Sequence, residues 1–263
     1  MTLETGWRTD APVADSILRA FLHNQADVGD VLAAAVGGRQ HRVPGLALSD
    51  TGGPVVYTNQ AVLFRPVLTA DDPLLDEADR FFTTSTAMLL SAWPTPDLYG
   101  RGWQLIGHPM FVVRAPGPHE PVSRSGPPGV RIDIARTAAD LALAERVVID
   151  GYPLPEAAGR PPNALFGTPL VDGPIRIRTA FVDGEPAAVG SGHVGHGVVN
   201  LCLAATLPRA RRRGAWRSLV WARVDDAPDL PAAAFTSDDS RPGFIALGFL
   251  PITRFTLWLI PRG

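Results

Sequence analysis

The chain has 263 residues, 46% of them hydrophobic and 19% charged, with a formal net charge of −2, so it can fill a sizeable core and lacks the basic excess of a general nucleic-acid binder. Its basic residues are all arginines, which favours forked recognition of oxyanions, and its one cysteine, Cys202, excludes an intrachain disulfide and a multi-cysteine metal site. The start, Met-Thr-Leu-Glu-Thr-Gly-Trp-Arg, has no basic segment leading into an apolar core, and no apolar run approaches the ~20 residues that cross a bilayer, so a cytoplasmic protein without a membrane partner is expected.

In chain order, residues 12–36 read as a helix, 43–49 and 54–64 as strands, and 71–84 as a helix with Pro73 in its first turn. Residues 87–93 read as a strand, a short helix near Asp97 leads to Gly102-Trp103, and 110–114 close the half as a strand. Then comes Pro-Gly-Pro-His-Glu-Pro-Val-Ser-Arg-Ser-Gly-Pro-Pro, which suits neither a helix nor a strand interior. It marks a linker, 116–129, between a first module at 1–115 and a second at 130–263.

In the second module, 130–135 alternates as a strand does. Thr137 is placed to cap a helix over 138–149, whose apolar stripe runs through Leu141, Ala144 and Val148. Strands at 175–182 and 186–194 flank Asp183-Gly184, a hairpin signal, and a second hairpin passes through Gly195-His196-Gly197 into a strand at 198–206. After that strand stands Thr206-Leu-Pro-Arg-Ala-Arg-Arg-Arg-Gly-Ala-Trp216, an arginine and glycine loop opening a helix over 217–225. Such a loop aims backbone N–H groups and the helix dipole at one point, where Arg211, Arg212 and Arg213 add charge, so it suits a phosphate. The same arginines also suit a solvated loop or a nucleic-acid patch, and the loop alone does not choose. A short buried strand at 232–236, a segment at 237–249 ending in Phe-Ile-Ala-Leu-Gly-Phe, and a last strand at 252–260 complete the chain.

This order, with Arg211-x-x-Gly214-x-Trp216, Thr206-x-Pro208, Ser237, Pro242, Phe244 and Leu247-Gly248-Phe249, resembles the acyl-CoA-binding half of the GCN5-related N-acetyltransferase (GNAT) superfamily. The first half, including Tyr57-Thr-Asn-Gln-Ala61, resembles the degenerate N-terminal module of two-part actinobacterial members and has no glycine cradle. The resemblance implies an α+β fold of tandem modules, each a mostly antiparallel sheet flanked by helices. It implies acetyl-CoA, or another acyl-CoA, as cofactor: the pyrophosphate on the backbone of Arg211 to Trp216 (Arg212, Arg213, Gly214 and Ala215 included), the pantetheine on Ala204, Ala205 and Thr206 where the strand splays from its neighbour, and Ser237 and Phe244 on the cofactor wall. The acceptor is an amine on a small molecule or peptide, and members of the family often dimerise.

The pattern departs at two positions. Trp216 replaces a small residue, and Phe244 stands where a tyrosine often protonates the leaving thiolate; phenylalanine has no proton to give. An acyltransferase with another proton donor and a CoA-binding module without turnover both remain open, as does a nucleic-acid-binding protein using the arginines. Asp150 and Tyr152, after the first helix of the second module, fall where the family lines its acceptor pocket and are the catalytic candidates, though Gly-Tyr-Pro also suits a plain turn. Asp238 and Asp239 suit an N-cap pair for a helix at Arg241. His193 and His196 flank a turn ~33 Å of strand away from Thr206, so they read as turn or surface histidines, and no metal is expected. Cys202 reads as a small buried hydrophobe.

Overall fold

The computed structural model describes residues 17–117, 129–152 and 154–262. The first half runs α1 (Ile17–Ala35), β1 (Arg39–Val43), β2 (Leu46–Asp50), β3 (Gln60–Leu63), α2 (Pro73–Phe81), β4 (Ala87–Ser91), β5 (Gln104–Gly107) and β6 (Met110–Arg114). The second runs β7 (Val130–Ile134), α3 (Ala138–Gly151), β8 (Ile175–Val182), β9 (Glu185–Gly195), β10 (Val198–Thr206), α4 (Ala215–Val224), β11 (Ala232–Thr236), α5 (Arg241–Ala246), β12 (Leu250–Arg254) and β13 (Thr256–Ile260). Local chemistry explains the firmest boundaries. Thr137 and Asp140 form a reciprocal capping box that starts α3, and Asp72, followed by Pro73, accepts from the Leu74 N–H to start α2. Asp183 and Gly184 both take positive φ, 52° and 85°, the twist a two-residue hairpin turn requires.

Three expectations change. Residues 43–49 do not form one strand: Gly45, at φ +97°, turns the chain so that β1 and β2 pair as a hairpin. Within 54–64, Val56–Thr58 winds as a 3₁₀ turn and only β3 extends. The last strand is two strands, broken at Phe255. That ring is fully buried against Phe111, at 5.2 Å, in a cluster with Phe21 and Phe235, and its N–H bonds to Pro109 O. Burying the aromatic there redirects the chain from one sheet to the other. Residues 12–16 of the expected first helix and 118–128 of the expected linker lie outside the described residues.

The two sheets are ordered β1-β2-β3-β4-β13-β5 and β12-β6-β11-β10-β9-β8-β7. Pairing is antiparallel except for β3–β4 and β10–β11, so the architecture is α+β with tandem sheets, as expected. Division at the linker, however, does not divide the sheets. Strand β13, from the end of the chain, lies between β4 and β5 in the first sheet, while β6, from the first half, lies between β12 and β11 in the second. The exchange is driven by burial: Leu257, Trp258 and Ile260 of β13 are 7%, 3% and 0% exposed, and full burial of such side chains stabilises by about 1.5–3 kcal/mol each.

Helix α1 fastens the halves together. The side-chain amide of buried Asn24 donates to the carbonyls of His193, Gly195 and Val198, around the β9–β10 turn. Gln25 donates to Gln60 Oε1 and accepts from Asn200 Nδ2, linking β3 to β10. A buried amide network is specific because any slip leaves a donor or acceptor unpaired, at about 1–3 kcal/mol each.

Candidate functional site

Strands β10 and β11 pair only at Val199↔Ala232 and Asn200↔Ala233. Beyond that point β11 keeps β6 on its far side and β10 keeps β9, so the two strands part and leave a wedge open on β10 from Leu201 to Thr206. A bulge between Cys202 and Ala205, with Leu203 at φ 46°, inserts an extra residue at the same place. A bulge leaves backbone unpaired and re-aims it. Ala204 is exposed, Thr206 half-buried and Ala205 buried. These are the residues expected to meet the pantetheine, and the splay expected at them is present.

The chain then turns through Pro208–Ala210 into the arginine loop. Arg212 and Gly214 both take the left-handed conformation, φ 62° and 84°, with extended Arg211 before them. Gly214 precedes α4 with no side-chain cap, so the first N–H groups of this ten-residue helix lack a side-chain acceptor. Positive φ at these positions turns successive N–H groups toward one side, and the helix dipole adds positive potential there. Arg211 and Arg212 are exposed and make no side-chain bond among the described residues, whereas Arg213 pairs with Asp183 of the β8–β9 turn. Two of the three guanidinium groups are therefore free for an anion and the third is partly neutralised.

The wedge is not empty at its mouth. The half-buried indole of Trp216 meets the ring of Phe244 edge-on, with centroids 5.0 Å apart, and Phe244 in turn meets Phe249 edge-on. Phe244 is 6% exposed, in a core with Val199, Leu201 and Val220. Trp216 also explains Gly243: a Cβ there would lie 2.9 Å from the indole. The two departures from the expected pattern are thus one contact, joining the first turns of α4 and α5 across the wedge. Ser237 is exposed and occupied locally, accepting from Ser240 N–H. The residue preceding α5 is Ser240, not Asp238 or Asp239, and Asp238 instead pairs with Arg241 and Arg254.

On the other face of β10 lies the end of α3. A Cβ at Gly151 would stand 3.2 Å from Ala205 Cβ and from the Thr206 carbonyl carbon, so Asp150 and Tyr152 flank the point where α3 touches the wedge strand. Asp150 is exposed. The hydroxyl of Tyr152 lies 3.3 Å from that of Tyr57, in the first half, with the rings edge-on at 5.5 Å. Burial, reinforced by the Tyr152 hydroxyl and the Glu156 charge, holds the Tyr57 phenol well above the usual tyrosine range, so it keeps its proton. This pairing was not legible from sequence, since nothing local ties residue 57 to residue 152.

Both histidines lie away from this site. His196 is exposed in the turn, with Nε2 2.7 Å from Asp27. His193 is 6% exposed, a correction to its reading as a turn or surface residue: the packing of α1 over β9 buries it, with Nδ1 3.0 Å from Asn24 Oδ1. Burial lowers its pKa. Cys202 is buried, and burial pushes its thiol up to about 12, so it is an unreactive thiol at neutral pH.

No family model and no curated protein matches the chain. Solved structures do. A GCN5-related N-acetyltransferase from Kribbella flavida, 19% identical, superposes over 91% of this chain and 96% of its own with a TM-score of 0.57. A functionally unknown conserved protein from Staphylococcus epidermidis, 11% identical, gives 0.57 over 87% and 95%. A tandem GNAT protein from the clavulanic acid biosynthesis pathway, 18% identical, covers 96% of this chain and 97% of its own at 0.50. With the splayed strands, the bulge and the glycine loop at the start of α4, the chain has the two-module fold of the GCN5-related N-acetyltransferases.

Proposed function

We propose that this chain is an acyl-CoA-dependent N-acyltransferase, with acetyl-CoA or a related acyl-CoA held by the second module and an amine as acceptor. The observation that carries this is the coincidence, within a GNAT fold, of a splayed and bulged β10 with a left-handed glycine loop at a helix start. The backbone of Arg212 to Trp216 suits a pyrophosphate, and the open backbone of Ala204 to Thr206 suits the pantetheine amides. At the wedge mouth the half-buried Trp216 ring has to rotate away from Phe244. The cofactor supplies the acyl group as a thioester.

The residues of this chain do the rest. Backbone N–H groups at the Leu203 bulge would serve as the oxyanion donors, and fixed donors of this kind are worth about 10²–10³ in turnover. Phe244 supplies no proton, and the Tyr152 hydroxyl, positioned by the protonated Tyr57, takes that place. Asp150, exposed beside it, attracts the acceptor amine. The first half, which has no glycine cradle, contributes Tyr57 and so walls the acceptor side.

One observation favours a second reading, a CoA-binding module without turnover: Phe244 and Trp216 pack together in the wedge. Two assays separate the readings. Thermal unfolding with acetyl-CoA reports binding, and release of free CoA with a panel of amines reports transfer. Stabilisation together with amine-dependent release is the expected result. Stabilisation without release supports the second reading, and salt-sensitive nucleic-acid binding without CoA stabilisation would overturn both.

A further inference from the structure

Glu145 lies within α3, 4% exposed, and only one of its two oxygens is used. Oε2 accepts from the N–H groups of Leu165 and Phe166, at 2.9 and 2.8 Å, which ties the segment after α3 back onto the helix. Oε1 has no partner among the described residues, yet it is not sealed in the core, so a guest in the cleft that Glu145 lines can reach it. That cleft runs between the halves, with Thr51, Val55 and Thr58 on one side and Glu145, Ile149 and Arg160 on the other. Thr51 donates its hydroxyl proton to Asn59 Oδ1 and Thr58 donates to the Val55 carbonyl, so the first-half side offers lone pairs. The enclosed space is about 10 Å³, room for one water-sized group.

A buried carboxylate oxygen without a partner is costly and calls for a donor, best a charged one. Walls that only accept select a guest that only donates. A primary ammonium has three N–H groups, no lone pair and about the size of a water. Arg160, exposed at the rim, makes no side-chain bond among the described residues and does not pair with Glu145. Its exposed charge is screened more than the buried carboxylate, so it does not cancel the attraction, and it is free for an anionic group. Glu145, Ile149 and Tyr152 stand at i, i+4 and i+7, one face of α3 spanning ~10 Å. Thr58 follows Tyr57, whose hydroxyl meets that of Tyr152, and the Glu156 charge acts on the same Tyr57 phenol. The cleft and the tyrosine pair are therefore two ends of one seam, each with a carboxylate beside it.

We infer that this cleft anchors a second ammonium group of the acceptor on Glu145 Oε1 while the reacting amine lies at Tyr152. The inference rests on the acyltransferase reading and narrows its acceptor. A diamine, or a diamino acid whose carboxylate meets Arg160, presents the same ammonium to Glu145. A monoamine leaves the cleft to water.

Putrescine, ornithine and butylamine share one chain length and differ in the second ammonium and the carboxylate. Each is titrated calorimetrically, with and without CoA, into the natural chain, Glu145→Gln and Arg160→Ala. Glutamine keeps an oxygen for the Leu165 and Phe166 N–H groups and replaces Oε1 by a donor, so the segment stays tied. Putrescine or ornithine is expected to bind the natural chain at least ~10-fold tighter than butylamine, and Glu145→Gln is expected to erase that advantage with butylamine and CoA affinities within ~3-fold. With acetyl-CoA, the same variant should raise KM for the preferred acceptor ~10-fold and leave kcat within ~3-fold. An ornithine preference lost in Arg160→Ala names the diamino acid, and a putrescine preference kept there names the diamine; either supports the site. Equal binding of all three amines, or undiminished preference in Glu145→Gln, would overturn it. Selective binding without acyl transfer would keep the cleft and remove the acyltransferase reading, and transfer to butylamine as readily as to the other two would do the reverse.

Discussion

Gly214 offers the sharpest test of the acyl-CoA site, because strain and charge can be separated there. Its φ of 84° lies where a side chain costs about 1–2 kcal/mol, so Gly214→Ala should lower stability by roughly 1 kcal/mol, a fall of ~2–4 °C in a chain of this size. Alanine adds no charge, and its effect on CoA affinity should stay within ~3-fold, given the backbone character of the contacts. Gly214→Asp carries the same strain plus a carboxylate beside the N–H groups. At ~5 Å from a phosphate, an effective dielectric near 20 gives about 3 kcal/mol of repulsion, and exposure together with Arg211 and Arg212 reduces this to about 1.5 kcal/mol. That corresponds to ~10-fold weaker binding beyond the alanine variant. Isothermal titration with CoA measures both. If the aspartate and alanine variants bind alike, no phosphate lies at this helix start and the reasoning is refuted.

Other outcomes follow from the same geometry. Tyr152→Phe should lower amine-dependent turnover by ~10²-fold with CoA affinity unchanged, and Tyr57→Phe should reproduce part of that loss by leaving the Tyr152 hydroxyl unpositioned; steady-state kinetics with parallel CoA titration checks both. Trp258→Ala should cost about 3–5 kcal/mol in denaturant unfolding, since this 3%-exposed indole also donates to Thr95 and packs on Tyr99. Burial keeps the folded-state pKa of His193 below 6.5, so its contribution to stability is present above that pH and is lost as pH falls through and below it. A melting-temperature profile from pH 8 to 5 should fall on the acid side, and His193→Gln should flatten it, although Asp27 and His196 also act on this ring.

What the sequence disclosed divides by range. The Thr137 cap, the Asp183-Gly184 turn and the run from β10 through the glycine loop to β11 are dictated by neighbours within a few residues, and these are where sequence and structure agree. The splay was expected only through resemblance. Its filling by Trp216 and Phe244 depends on two helices meeting, which their spacing does not state. The break at Phe255 looked like uninterrupted strand because residues 252–260 are rich in β-branched and aromatic side chains and contain no glycine or proline. Only the burial of that ring among Phe21, Phe111 and Phe235 shows that the chain changes sheets there. His193 was misplaced for the same reason: α1, which covers it, lies 169 residues away.

Exchange of β6 and β13 also sets an order of assembly. Residues 256–260 complete the interior of the first sheet but leave the ribosome after β1 to β12. While the second half is being made, β4 and β5 flank a gap, with two unsatisfied strand edges exposed to solvent. The N-terminal half therefore cannot reach its final sheet during its own synthesis, and a stop codon anywhere before residue 256 leaves the first sheet without β13. Conversely, a protease cut in the linker need not release either half, since each still holds a strand belonging to the other.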